Sequence, residues 1–279
     1  MAPAKLQLTS EAIEARRRSR RQLSSGGKVR TDEEAARFVD ERGFALLAPL
    51  RGVNLPSLSE ADYREPWPGY TITDGAWRWK EVLPGEKRCV YGKFLRGRGT
   101  FISWNLFPHF YAVYGPSGDA EEEYLAGRLG RMERLLLEMV EEFGPIDSRA
   151  LWRKVGFQFG GERSRFVRVL DSLQTRFILT VSGGSLEGWS LHQWDLVTRQ
   201  VPDGLLEKLP NMEEARVTLL HKLIDNCVSC HPAEAAGLLR WPKATTDAVA
   251  ARLLGDNVLC VAEIRGFRGP HWVLNADWL

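Results

Sequence analysis

The most constraining feature of this sequence is a pattern of elements that occurs twice. In residues 120–200 and again in 211–279, hydrophobic spacing predicts three helices, followed by two strands that a glycine-containing turn joins. The two copies end in WSLHQWDL and WVLNADWL, and corresponding positions such as Ile178 and Leu259 are 81 residues apart. Because the shared ending coincides with a shared order of elements, the sequence predicts an internal repeat.

Helix caps and periodicity give the expected bounds within each copy. After a long helix that ends at Gly144-Pro145, the first copy contains helices 149–155 and 164–173 and strands 177–181 and 189–191. The second copy contains helices 215–227, 232–239 and 245–254 and strands 258–264 and 271–274. Three helices and a β-hairpin are the parts of a winged-helix unit. We therefore expect tandem winged-helix units with β-hairpin wings.

Residues 1–114 have the composition of a less regular unit. Two capped helices precede an apolar segment at 44–49, and aromatic residues with glycines between them make residues 66–114 typical of strands and turns. The small and acidic residues at 115–123 indicate a linker. The sequence thus predicts an α+β, predominantly helical protein with an irregular winged-helix-like, aromatic-rich domain at 1–114 and winged helices at 120–200 and 211–279.

Composition and motifs exclude several classes of protein. The 279 residues are 44% hydrophobic, so the chain can bury a core without disulfides or metal. It has no run of 18 apolar residues and no apolar stretch typical of a secretory signal, so we expect a cytoplasmic protein that does not enter a membrane. The sequence Cys227-Val-Ser-Cys230-His231 fits a haem-attachment pattern, but covalent attachment of haem follows export, which is not expected for this chain. A zinc site is also not expected, because no second C-x-x-C is present to complete the set of ligands. No cofactor and no metal are predicted.

The net charge of +2 conceals an uneven distribution. Residues 1–30, here called the basic segment, carry +6, and the remaining chain carries −4. Ser10 can cap a helix from Glu11 to about Leu23, over whose surface the arginines spread. The charge of the basic segment fits two interpretations equally well. The segment is either an arm that contacts phosphates or a solvated surface helix.

The winged-helix interpretation selects candidate nucleic-acid-binding residues. Cations on the recognition helix and the wing of such a unit contact phosphates and purine edges. The candidates, together with those of the basic segment and of the aromatic region, are Arg16, Arg17, Arg20, Arg96, Arg98, Arg163, Arg165, Arg168, Lys243, Arg265 and Arg268. Winged helices also serve as protein-docking units, so this alternative stays open.

The aromatic residues of 66–114 raise the question of a base-binding pocket. Aromatic clusters mostly form cores, but an aromatic face with arginine nearby also holds a flipped or single-stranded base. Trp77, Trp79 and Trp104 are the candidates for such a pocket.

Two sets of residues resemble a known family. The segment RGRGTFI at 96–102 is similar to the MRGTLHL segment of the AlkZ/YcaQ family, and the unit at 120–200, with its Gly-Pro turn and G-W-x-L wing, also resembles that family. That family consists of tandem winged-helix DNA glycosylases, which excise alkylated purines and unhook interstrand crosslinks. The resemblance extends over about residues 10–275 and implies a fold of tandem winged helices that binds DNA.

The chain departs from the family at the catalytic motif. Family members carry Gln-x-Gln or Gln-x-Asp after a glycine and an apolar residue, and in the corresponding stretch Leu46 and Ala48 stand at these two places. Neither side chain can position water, and loss of a general base costs about 10²- to 10⁴-fold in rate. Glu60, Asp62 and Asp195 are the candidates for a displaced carboxylate.

The leading hypothesis is an AlkZ-related, DNA-binding protein without glycosylase activity. Its expected partner is double-stranded DNA, possibly damaged, and no protein partner is indicated. The first alternative is an active DNA N-glycosylase of base-excision repair that uses one of the displaced carboxylates. The second is a protein-interaction module, which is favoured if Arg163, Arg165 and Arg168 lie in an interface between domains.

Overall fold

The computed structural model of the protein describes residues 6–64, 75–186 and 191–278. These residues form helices and strands that alternate along the chain. The N-terminal segment contains β1 (Leu6–Leu8), α1 (Ser10–Arg20), α2 (Asp32–Arg42), β2 (Phe44–Leu46), α3 (Leu58–Ala61), α4 (Gly75–Gly85), β3 (Val90–Leu95), β4 (Arg98–Ile102) and α5 (Phe107–Tyr114).

The repeated order of three helices and a hairpin is present in the structure. The first copy contains α6 (Ala120–Leu125), α7 (Arg131–Phe143), β5 (Ile146–Asp147), α8 (Ser148–Val155), α9 (Arg163–Thr175), β6 (Leu179–Ser185), β7 (Leu191–Leu196) and α10 (Val197–Gln200). The second contains α11 (Met212–Cys227), α12 (Pro232–Leu239), α13 (Lys243–Gly255), β8 (Leu259–Ile264), β9 (His271–Leu274) and α14 (Asn275–Trp278). The mixed, predominantly helical architecture is confirmed. Most of the expected strand at 189–191 lies outside the described residues. The aromatic residues Trp67 and Tyr70 also lie outside them.

Strand pairing connects the N-terminal segment to the first copy. One sheet has the order β2-β4-β3-β6-β7-β5, and β3 joins β6 through a single pair, Tyr91 with Val181. The Thr180 hydroxyl also donates to the carbonyl of Tyr91 at 2.8 Å. A second sheet, β1-β8-β9, connects the start of the chain to its end. The division into three domains stays a prediction, and its boundary near residue 115 is crossed by a continuous sheet.

The two large apolar clusters also cross that boundary. In one cluster Phe177, from the first copy, stacks on Phe94 with ring centroids 4.3 Å apart and contacts Phe107 and Phe110 of α5. Helices α11 and α13 of the second copy pack on the same cluster. The other cluster joins α2 and α4 to α7, α8 and α9. The three segments of sequence therefore share their cores.

Two expectations about secondary structure are wrong. Residues 66–114 are not only strands and turns, because α4 and α5 lie there. Buried side chains of α4, such as Ala76, Trp79 and Leu83, recur at helical spacing, and packing outweighs the strand propensity of the tryptophans. The expected linker at 115–123 contains the start of α6, because Asp119 and Glu122 form a capping box.

A buried carboxylate in this segment also provides a test of stability. Glu123 is 3% exposed. Its carboxylate accepts hydrogen bonds from Arg128 at 2.8 Å, from Arg176 at 2.7 Å and from Ser117 at 3.0 Å. The hydrogen bond from Arg128 has the largest effect, and together these contacts lower the pKa of Glu123 to about 2. The carboxylate therefore ties α6 to the end of α9 only while it is ionised.

We expect Glu123→Gln to lower the free energy of unfolding by about 2 kcal/mol at pH 7, because a charged acceptor of three donors is lost. Since the pKa is lowered on folding, this contribution is present above the ordinary glutamate pKa and is lost as the pH falls toward about 2. Urea unfolding at pH 7 and at lower pH measures the difference between the variant and the wild type.

The matched control is Glu121→Gln, because Glu121 is 64% exposed and its pair with Arg134 spans 3.4 Å. We expect this change to alter the free energy of unfolding by less than about 0.5 kcal/mol. A difference between Glu123→Gln and the wild type that stays constant from pH 7 to pH 3 contradicts the argument.

Two structural features are absent from the described residues. No described helix is long and apolar enough to cross a membrane. No group of three or more His, Cys, Asp or Glu side chains in the described ranges is arranged to hold a metal ion. Cys227 and Cys230 are free thiols in the core.

Candidate nucleic-acid interface

A groove of about 450 Å³ lies where the N-terminal strands meet the first copy of the repeat. One wall is the β3–β4 turn and the other is α9. Lys93, Arg98 and Arg163 are the cations that line it. Its buried floor is aromatic, with Tyr91, Phe166 and Trp194, and the partly exposed His192 lies beside them.

The periodicity of α9 decides which of its arginines reach the groove. The groove-lining positions are Arg163, Val167, Leu170, Asp171 and Gln174, which recur every three or four residues and so share one side of the helix. Arg165 lies on another side and lines a separate concavity with Arg131 and Arg134. Arg168 is exposed and does not line the groove. Of the three predicted arginines, the structure therefore places only Arg163 in the groove.

The opposite wall is a tight turn with two exposed arginines. Arg96 and Gly97 have φ angles of +49° and +67°, which the reversal between β3 and β4 requires. Gly99 has no room for a side chain, because a Cβ there would overlap the Tyr91 hydroxyl. The turn thus passes close to Tyr91, and Arg98 lines the edge of the groove.

The cations around the groove differ in their availability. Lys93 forms an ion pair of 2.8 Å with Asp171, and its backbone N–H donates to Gln174. Arg96, Arg98, Arg163 and Arg168 form no ion pair with any described residue, although Arg163 stacks 5.5 Å from the centre of the Trp152 ring. Of these, Arg98 and Arg163 line the groove and can contact an anionic partner there, whereas Arg96 interacts electrostatically with Glu234 of α12.

A pair of titratable groups that sequence reasoning missed lies at the floor. Glu81, on α4, has a side chain that is 1% exposed, and Nδ1 of His192 on β7 lies 2.9 Å from its Oε1 atom. The two residues are 111 positions apart, so no local pattern connects them. In the repeat, His192 takes the place of Asn275, whose side-chain amide donates to Asn257.

The two positions of the lost catalytic motif do not face the groove together. Leu46 is 1% exposed and packs into the apolar cluster that Phe44 and Leu55 share. Ala48 is exposed, and Leu47 between them lines the groove. The residue that faces the groove at this end of β2 is thus an apolar side chain.

Glu60 and Asp62 lie in a second concavity of about 530 Å³, with Arg18, Arg21, Lys28 and Arg64. Glu60 accepts a hydrogen bond from Ser57 at 2.7 Å and pairs with Arg21 at 3.3 Å. Asp62 is 3% exposed and accepts from the backbone N–H groups of Arg64 and Ala76. Glu60 is therefore the more accessible carboxylate of the two.

The structure does not support a catalytic role for Asp195. Its side chain is 4% exposed and accepts from the backbone N–H of Leu196 and from Gln200, at 2.8 and 2.9 Å. It alternates with Trp194 along β7, so it lies on the face of the strand away from the groove. These bonds fix the start of α10 and leave no carboxylate oxygen at the groove.

The three candidate tryptophans do not form one pocket. Trp79 is 2% exposed, and its Nε1 donates to Asp32 at 2.9 Å within the core. Trp104 donates to the carbonyl of Lys87 and packs edge-on against Phe107. Trp77 is 44% exposed, with Lys80 over its ring at 4.9 Å. The predicted pocket of all three tryptophans is wrong. Trp77 and Trp79 are two residues apart on α4, so their side chains face different ways.

The basic segment is not a free arm. Helix α1 packs against the second copy, and Arg17 is 5% exposed with its guanidinium against the Cys227 carbonyl and the Ser229 hydroxyl. Arg16 pairs with Asp277 at 2.9 Å, and Arg20 with Asp225 at 2.7 Å. Carboxylates and carbonyls at the other end of the chain neutralise these arginines. The expected phosphate contact is therefore excluded for the buried Arg17 and unsupported for its two neighbours.

The remaining candidates lie on the second copy, away from the groove. Lys243 begins α13, is 86% exposed and pairs with Asp247 at 2.5 Å. Arg265 and Arg268 are exposed at the β8–β9 turn. The three positions stay predicted contacts of a separate surface.

Comparison with known proteins agrees with this fold. The chain matches the family described as "AlkZ related" over residues 29–240, and it belongs to that family. Its structure is similar to that of the DNA glycosylase AlkZ of Streptomyces sahachiroi, with a TM-score of 0.62. The sequences are 15% identical, and the match covers 97% of this chain and 71% of the other. No curated protein matches the sequence.

Proposed function

We propose that this protein binds duplex DNA with the surface that surrounds the groove, and that it does not use the glutamine-based catalysis of the glycosylases it resembles. The observation that carries the proposal is a pair of exposed guanidinium groups on opposite walls, Arg98 and Arg163, which form no ion pair with any described residue. Phosphates are the usual partners of such groups. Because the fold is similar to that of the DNA glycosylase AlkZ, DNA is the preferred polyanion.

The proposal includes winged-helix units. Each unit needs two helices followed by a hairpin. The first unit has this order in α8, α9 and the hairpin β6–β7, and the second has it in α12, α13 and the hairpin β8–β9. In the first unit α9 is the recognition helix, and Arg163, Arg165 and Arg168 are all exposed. Their exposure gives no support to the protein-interaction alternative, which needs these arginines in an interface between domains.

We expect Arg98→Ala combined with Arg163→Ala to weaken binding to a duplex about tenfold or more at low salt. Each lost phosphate contact also reduces the slope of log affinity against log salt by about 1, so the double variant is expected to lose about 2. Fluorescence anisotropy with a labelled duplex, at about 50 mM and about 200 mM salt, measures both quantities.

The control is Arg37→Ala, because Arg37 is an exposed arginine of α2 that pairs with Glu34 outside the groove. It is expected to leave affinity and slope unchanged. Binding that is independent of salt, or absent at micromolar protein, contradicts the proposed function. Equal loss in the control and the double variant contradicts the assignment of this groove.

A second candidate function is an active DNA N-glycosylase in which Glu60 supplies the carboxylate. The observation that favours it is the concavity that Glu60 shares with four cations, one of whose walls is Pro49, next to Ala48. Abasic sites in methylated duplex DNA that form with the wild type and are lost with Glu60→Gln support this function, and an unchanged rate in the variant contradicts it.

A further inference from the structure

The first copy of the repeat contains a further concavity, distinct from the groove and from the concavity that contains Glu60. Its volume is about 770 Å³, and it is lined by α7, by the first turn of α9 and by the turn that joins α8 to α9. Clefts that bind ligands usually have volumes of about 300–1,000 Å³. We call this surface the α7 concavity, and its size is sufficient for side chains of a partner.

The turn between α8 and α9 presents an aromatic ring to solvent. Phe157, which lines the α7 concavity, is 95% exposed, the highest value of any large apolar side chain in the described ranges. Phe159, two residues later, is 1% exposed and packs edge-on against Phe166 at 5.6 Å between ring centroids. The N–H of Gly160 donates to the Phe157 carbonyl at 2.9 Å. Because the backbone of the turn is already ordered, covering the Phe157 ring costs little further entropy.

Other apolar side chains line the α7 concavity together with Phe157. Met132 and Leu135 of α7 and Tyr124 of α6 are partly exposed there. The guanidinium of Arg134 lies 4.5 Å from the centre of the Tyr124 ring. Aromatic residues, methionine and arginine are the residue types that are enriched in protein–protein interfaces. The lining therefore has the composition of a surface that another protein covers.

The charges of the α7 concavity are mainly positive. Arg131, Arg134 and Arg165 line it with a single carboxylate, that of Glu138. Arg134 pairs with Glu138 at 2.8 Å and with Glu121 at 3.4 Å, so its charge is compensated. Arg131 and Arg165 are exposed and form no ion pair with any residue that the structure describes. A partner that supplies two carboxylates complements these two arginines.

The lining favours a protein over DNA as this partner. Protein–DNA interfaces are more polar and much more positively charged than protein–protein interfaces, whereas Met132 and Leu135 contribute apolar surface to the α7 concavity. The side chains of Glu138 and Glu121 are 48% and 64% exposed, and their carboxylates repel phosphates.

We propose that the α7 concavity is a docking surface for an acidic segment of another protein. A large apolar side chain of that segment packs on Phe157, and carboxylates of the segment pair with Arg131 and Arg165. Arg163 lies on the side of α9 that faces the groove, so the docking surface and the groove are separate. The inference does not depend on the proposed binding of DNA.

Peptide display on the full-length protein tests for such a partner. A library of random peptides is selected in parallel on the wild type and on a variant that combines Phe157→Ser with Arg165→Glu. We expect the wild type to enrich peptides that carry a net negative charge and large apolar side chains, and the variant not to enrich them. If the wild type enriches no such peptides, or if the variant enriches them equally, the proposal is overturned.

A synthetic peptide with the most enriched sequence then measures the contribution of single side chains by fluorescence anisotropy. We expect Phe157→Ala and Arg165→Glu each to weaken its binding about tenfold or more, because a few anchoring residues carry most of the binding energy of an interface. The matched controls are Phe143→Ala, at the 39% exposed end of α7, and Arg149→Glu, on the surface of α8; neither residue lines the α7 concavity. Losses in the controls as large as those in the test variants overturn the assignment.

Two further measurements detect other occupants of the α7 concavity. We expect Phe157→Ala to bind duplex DNA as the wild type does, and duplex DNA not to displace the peptide. Displacement of the peptide, or a loss of DNA affinity of about tenfold in Phe157→Ala, assigns the surface to DNA and overturns the proposal. A wild-type dimer in sedimentation that Phe157→Ala abolishes assigns the surface to a second copy of the chain and also overturns it. Absence of DNA binding by the wild type contradicts the proposed function and leaves this inference standing.

Discussion

Replacing Leu46 by Gln lowers the free energy of unfolding by about 4 kcal/mol and does not create a catalytic amide at the groove. Leu46 is 1% exposed among apolar side chains such as Phe44, Leu55 and Val90. The change removes buried apolar atoms and places a polar amide where no donor or acceptor is available, and each effect costs about 2 kcal/mol. Denaturant unfolding at pH 7 measures the loss.

Leu46→Met is the matched control, because it keeps the volume and the apolar character of the side chain. It is expected to cost less than about 1.5 kcal/mol. A Leu46→Gln variant as stable as the wild type shows that the amide reaches solvent or a polar partner. Position 46 would then have access to the groove, and the family's catalytic pair could be rebuilt there.

The repeat could be predicted from the sequence because its signals are local. Helix α12 and strand β9 have the expected bounds, Pro232–Leu239 and His271–Leu274. For α12 the reason is a proline in the first turn after His231, whose ring accepts from the N–H of Ala233. Such caps depend on residues that are close together in the sequence, so they can be recognised without the structure.

The candidate site could not be predicted in the same way, because its residues are distant in sequence. Arg98 and Arg163 are predicted as cations of the aromatic region and of the repeat, but the pairing of Tyr91 with Val181 and the contacts of Lys93 with α9 bring them together. Glu81 and His192 meet across the same junction. Burial of α4 also decides that Trp79 belongs to the core, which an aromatic cluster in the sequence does not reveal.

The charge of the basic segment illustrates the difference between the number of cations and their availability. Arg17 lies in the first 30 residues with seven other cations, yet Cys227 and Ser229, more than 200 positions away, surround its guanidinium. A charge that backbone carbonyls and Glu14 already satisfy is not available to phosphate without the cost of breaking those bonds. The segment's charge of +6 therefore overstates what a DNA strand meets.

Arg17→Ala is accordingly expected to lower the free energy of unfolding by about 3 kcal/mol, because bonds from a charged donor are lost and buried acceptors stay unpaired. DNA affinity, measured by anisotropy at a temperature where the variant is folded, is expected to change less than about twofold, since Arg17 is not at the surface. Denaturant unfolding gives the stability.

Arg18→Ala is the matched control, since Arg18 is the next residue of α1 and is exposed. The control is expected to alter the free energy of unfolding by less than about 0.5 kcal/mol. An Arg17→Ala variant that keeps its stability but loses affinity and salt dependence contradicts this account. Helix α1 would then have to detach from the second copy of the repeat when DNA binds, and the basic segment would act as an arm after all.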